Sequence, residues 1–84
     1  MTDTIHGYEI IVQAVSPGGN GTRPGRVILV DRGAGSQQRY VTAWQGRDLM
    51  GPGTGWDGEW GWGHYFDDKA LAEADFHMRC VRGY

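Results

Sequence analysis

The chain has 84 residues, with eight basic and ten acidic side chains and a net charge of −2. That size is one domain, and that charge does not suit a dedicated binder of polyanions. A single cysteine excludes an internal disulfide. No apolar run approaches the roughly 18 residues of a membrane helix, and no basic-plus-apolar leader is visible, so a cytoplasmic protein is expected.

Fifteen glycines argue for tight turns and long loops rather than a helical bundle. Four Trp, four Tyr and two Phe compensate for the small core, since each buried ring removes a large area from water. Residues 1–6 read as a loose start. Tyr8 to Val15 is β-branched, with apolar side chains on both faces, and reads as a central strand. Residues 16–25 (SPGGNGTRPG) are turn chemistry throughout. Arg26 to Asp31 is a second strand, residues 32–38 a hairpin connection, and Tyr40 to Gln45 a third strand. Residues 46–58 form a second long glycine-rich loop that carries Leu49, Met50 and Trp56.

The last third carries the strongest pattern. From Glu59 to Phe66 the residues alternate, with Trp60, Trp62, His64 and Phe66 on one expected face and Glu59, Gly61, Gly63 and Tyr65 on the other. Glycine weakens a strand, so the bare stripe predicts that aromatic rings from a neighbouring strand, or the C-terminal helix, lie over it. Asp67 or Asp68 then caps a helix that runs to Arg82, with Arg79 and Arg82 in its last turn and Gly83 as the stop. At 100° per residue, Leu71, Ala74, Met78 and Val81 form one stripe. Ala72, Phe76 and Cys80 form another, and Asp68, Asp75, Arg79 and Arg82 an expected solvent face. The predicted fold is α+β: a four-stranded antiparallel meander with the C-terminal helix on one face. Its second face is then exposed or shared with a partner.

Several motifs invite chemistry and fail on context. Residues 53–58 fit GxGxxG, but a strand follows where a dinucleotide site needs a helix. His64, His77 and Cys80 lack the fourth ligand and the CxxC pairing of a closed zinc site. Cys80 sits near a helix C-terminus, where a thiolate is not stabilised. His64 beside Asp67 and Asp68 is the best acid–base cluster, yet acids at a strand–helix junction suit a cap better. No enzyme, metal or cofactor is expected.

Binding is the remaining class. Residues 23–47 hold five arginines against Asp31, and residues 48–84 hold seven acids against three cations. The four tryptophans cannot all be buried in so small a domain, and Trp, Tyr and Arg are common interface anchors. The expected contact surface is Trp56, Asp57, Glu59, Trp60, Trp62, His64, Asp67 and Asp68, gripping a protein or protein–nucleic-acid complex with a basic surface. An alternative is direct nucleic-acid binding, with bases stacked on Tyr40 and Trp44 beside Arg26 and Arg39.

The stretch Gly63-His64-Tyr65-Phe66, with Ala72, Phe76 and Arg79 after it, resembles small uncharacterised bacterial proteins that join a GHYF strand to an A-x-x-x-F-x-x-R helix. It covers about a quarter of the chain and implies no particular activity. By class rather than motif, the chain resembles the small inhibitors of phages and mobile elements, such as anti-CRISPR proteins. That resemblance implies a non-enzymatic inhibitor of a host defence complex.

Overall fold

The computed structural model describes residues 4–16, 24–47, 55–56 and 59–82. In chain order these form β1 (Thr4–Ile5), β2 (Tyr8–Ser16), β3 (Gly25–Asp31), β4 (Tyr40–Gly46), β5 (Gly61–Phe66) and the helix α1 (Lys69–Arg82). Every strand pairs antiparallel with its sequence neighbour, in the order β1-β2-β3-β4-β5. The α+β meander with a C-terminal helix is therefore present, but its curled sheet has five strands rather than four.

The extra strand lies in the stretch expected to be loose. Ile5 pairs with Tyr8 and buries its side chain. His6 and Gly7, both at positive φ (54° and 80°), make the two-residue connection. Two such residues match the right-handed twist of a tight hairpin. Glycine adopts that backbone freely and histidine seldom does, so the sequence shows no obvious turn signal.

Both faces of the sheet are covered, which corrects the expectation of an open second face. On one side, Ile5, Ile10, Ile28, Val30, Val41 and Ala43 form a core, with Tyr8 and Trp60 packed against it. The two ends of the meander meet there. The His6 ring lies edge-on to Trp60 at 5.2 Å, and His6 Nε2 is 3.3 Å from a Glu59 carboxylate oxygen. On the other side, Val27 and Leu29 meet Ala72 and Phe76 of α1, with Trp44, Phe66 and Cys80 at the margin. Burying Phe76 contributes about 1.5–3 kcal/mol.

Asp68 is the N-cap: its Oδ1 accepts from the Ala70 N–H at 2.8 Å. Ala72, Phe76 and Arg79 are the buried positions of α1, while Leu71, Met78 and Val81 face solvent. The supposed solvent face is thus wrong at two positions. Arg79 is 1% exposed, and Asp75 is half-buried against the sheet. Charge alone misdirects the reading, because sheet carbonyls left without partners can be satisfied by a buried cation. The two long glycine-rich loops fall mostly outside the described residues.

Candidate functional site

The site is built on a fault in β5. Thr42 pairs with His64 and Trp44 with Gly61, so Ala43 alone opposes both Trp62 and Gly63. One extra residue makes a β-bulge and re-aims the side chains beyond it. Trp60 consequently joins the core with Ile5, whereas His64 and Phe66 face the helix. This corrects the expected alternation, which placed Trp60 and Trp62 on the same face. Gly63 is crowded by its own strand: an added Cβ would lie 3.1 Å from the Tyr65 hydroxyl and 3.3 Å from Trp60 Nε1. Among the described residues other than its two chain neighbours, nothing comes within 4 Å of a Cβ at Gly61, so none of them supplies the expected covering ring there.

Trp62 itself has φ 52°. That left-handed conformation is costly for a bulky residue and needs support from its surroundings. Support comes from α1. Arg79 Nη1 donates to the Trp62 carbonyl at 2.7 Å and to the Thr42 carbonyl at 3.0 Å. Burial pushes the Arg79 pKa down while the Asp75 charge pushes it up, and the guanidinium remains protonated. The Trp62 indole stacks at a tilt on Trp44, with centroids 5.5 Å apart, yet it remains 64% exposed. Trp44 is seated in turn by Gly25, where an added Cβ would come 2.5 Å from the indole ring.

Beside Trp62 lies a shallow groove of about 260 Å³ lined by Trp62, His64, Arg79 and Arg82. His64 Nδ1 is 2.9 Å from Asp75 Oδ2, and that oxygen also accepts from the Thr42 hydroxyl at 2.5 Å. Burial opposes ionisation of Asp75. The hydrogen bonds from Thr42 and His64, with the charges of His64 and Arg79, outweigh it and hold the carboxyl below its usual range. The partner of His64 is thus Asp75, not Asp67 or Asp68. This network orients the imidazole and fastens helix to sheet.

The other expected contact residues scatter. Trp56 is half-buried, with the Arg26 guanidinium 4.2 Å and the Arg47 guanidinium 4.7 Å from its ring centroid. Glu59, Asp67 and Asp68 are exposed at the two ends of β5, although Asp68 is committed to capping. Asp57 lies outside the described residues.

The alternative nucleic-acid platform is not assembled. Arg26 is buried and bonds Gln45 at 2.8 Å and Gln13 at 2.6 Å. It pairs with Gln45, so it faces away from Trp44, which pairs with Val27. Arg39 is tied to Asp31 by two hydrogen bonds of 2.7 and 2.9 Å. His64 and His77 stand on different flanks of α1, and among the described residues no three His, Cys, Asp or Glu side chains gather as metal ligands.

Arg79, Asp75 and Thr42 are the members that sequence reasoning missed. Their one signal was an arginine on the same helical turn as Phe76, a position that a buried cation can share with the core. Comparison with protein-family models, with curated proteins and with solved structures returns no match.

Proposed function

We propose that this chain is a non-enzymatic protein-binding module that docks through Trp62. One observation carries the reading: a bulky side chain is kept in a strained left-handed backbone, and its ring is left 64% exposed. Strain of this kind costs about 1–3 kcal/mol and tends to sit where recognition occurs. Stacking on Trp44 and anchorage through Arg79 fix the indole in place, which lowers the entropy lost on docking. Tryptophan is the side chain most able to act as such an anchor.

Glu59 and Asp67, exposed at either end of β5, suit a partner with a basic surface. Complexes that handle nucleic acid present such surfaces. An inhibitor of a host defence complex, the class that the sequence resembles, fits that chemistry. The test is capture of the partner by wild type and by Trp62→Gly, which removes the ring and tolerates the backbone. A charge-reversed Glu59→Lys/Asp67→Lys variant tests the steering term separately. Asp68 stays unchanged there, because altering it would weaken the helix.

A second reading draws on Arg82 and His64, which share the groove with Trp62. A single-stranded base could stack on the indole with its phosphate near these groups. A gel shift lost in Trp62→Gly and steeply weakened by salt would favour it over protein docking.

A further inference from the structure

Docking through Trp62 leaves the outer face of α1 unused. Leu71, Ala74, Met78 and Val81 follow one another at intervals of three, four and three residues, the spacing of a coiled-coil seam. They lie within an arc of about 80°, on the side of the helix away from Ala72, Phe76 and Arg79. All four are exposed: Leu71 is 57%, Met78 65% and Val81 90% open. No polar residue of α1 falls inside that arc. The helix is thus apolar on two opposite faces, one packed on the sheet and one bare. Such a helix belongs between two layers rather than on the outside of one. Single exposed apolar side chains are ordinary, but four aligned over three turns make a continuous patch.

We infer that this face pairs with the same face of a second copy, helix antiparallel to helix, about a two-fold axis at the level of Phe76. Leu71 then meets Val81 of the other copy, and Ala74 meets Met78, because both pairs are centred on position 76. Each layer sets a larger side chain against a smaller one, so the seam closes without a gap. A parallel pairing would set Ala74 against Ala74 and leave a void. Charge selects the same sense. Exposed Asp68 opens α1 and exposed Arg82 closes it, on one flank of the stripe. In the antiparallel register these two lie within roughly 3 Å of the same height along the axis, so each Arg82 reaches the other copy's Asp68. Asp68 caps the helix through Oδ1, which leaves Oδ2 for the guanidinium. With five N–H donors, Arg82 takes this carboxylate and keeps its other contacts. A parallel pairing would bring Arg82 against Arg82. Asp75, on that flank near the axis, is turned to the sheet and bonded to Thr42 and His64, so the two Asp75 carboxylates do not face each other. His77, on the other flank, lines the groove toward β2. Arg82 also lines the Trp62 groove, so both grooves would open on one side of the dimer and grip a partner bivalently.

Sedimentation of the full chain over a wide range of concentrations tests this. The expected result is a mass that rises from monomer to dimer, since a pair of 14-residue helices gives a small interface and a weak association. Met78→Glu should remain monomeric throughout with an unchanged circular dichroism spectrum. Trp62→Gly should dimerise as wild type does, which keeps this outcome separate from docking. Orientation is read by cross-linking in a Cys80→Ser background. A Leu71→Cys chain mixed with a Val81→Cys chain should be joined by a short bismaleimide. Leu71→Cys alone should not, because its two thiols would lie about 15 Å apart along the axis. This arm decides the matter should Met78→Glu unfold. A chain that is monomeric at every concentration, a dimer that survives Met78→Glu in a folded variant, or a mixed pair that fails to cross-link would each overturn the proposal.

Discussion

Arg79 Nη1 sits 2.7 Å from the carbonyl oxygen of Trp62, so the buried cation of α1 holds the exposed ring of β5. The same nitrogen serves the Thr42 carbonyl. Arg79→Met keeps much of the side-chain volume but leaves both carbonyls without this donor. An unsatisfied buried carbonyl costs about 1–3 kcal/mol. Urea unfolding should therefore show a loss of about 2–4 kcal/mol, and Trp62 fluorescence should change with it. A loss under about 1 kcal/mol would mean that the guanidinium is not what supports the bulge.

The backbone at Trp62 makes an ordering testable. Trp62→Gly relieves the left-handed strain, about 1–2 kcal/mol, and gives up the ring contact with Trp44, about 0.5–1.5 kcal/mol. The two nearly cancel. Trp62→Ala loses the same contact and keeps most of the strain. Thermal unfolding should place Gly close to wild type and Ala clearly below it. Ala above Gly would contradict a strained φ at this position.

Acid sensitivity follows from two carboxylates. The Arg39 hydrogen bond is the main cause that holds the Asp31 carboxyl below its usual range, and Asp75 is held low against the opposing effect of burial. A pKa depressed in the folded state gives stability that is present above the unfolded value, near 3.9, and lost as pH falls through the folded values. Urea midpoints should hold from neutral pH down to about 4 and fall below it. Asp31→Asn and Asp75→Asn should start less stable and lose less on acidification. An acid slope identical to wild type in both variants would rule these groups out.

Cys80 lies part-buried near the end of α1, and burial pushes its thiol pKa up. The thiolate is the reactive form. A disulfide reagent at mildly alkaline pH should therefore label Cys80 several-fold more slowly in the native chain than in urea. Equal rates would place the thiol in open water.

Much of the fold could be read in advance. β2, β3 and β4 begin and end within a residue of expectation, because β-branched runs bounded by glycine and proline leave little ambiguity. An acidic cap at Asp67 or Asp68 and the extent of α1 were legible for the same local reasons, and of the two acids Asp68 takes the cap. What escaped was non-local. A bulge reverses the parity of every side chain beyond it, and nothing at Trp62 advertises a positive φ. His6-Gly7 hides a hairpin in which histidine takes the role that asparagine or aspartate usually plays. Arg79 carries the mark of a surface residue, and only the orphaned carbonyls at the bulge make it a core one. Of the expected contact residues, Trp62 alone keeps a largely exposed indole; Trp60 is drawn into the core and Trp56 rests against two arginines.

Affinity capture from the native host, read by mass spectrometry, bears most directly on the role given to Trp62. Wild type and Trp62→Gly are compared side by side at low and high salt, after matched unfolding curves establish that both are folded. A partner held by wild type, weakened by salt and absent from Trp62→Gly is the predicted result. The same partner retained equally by both chains would contradict docking through this ring.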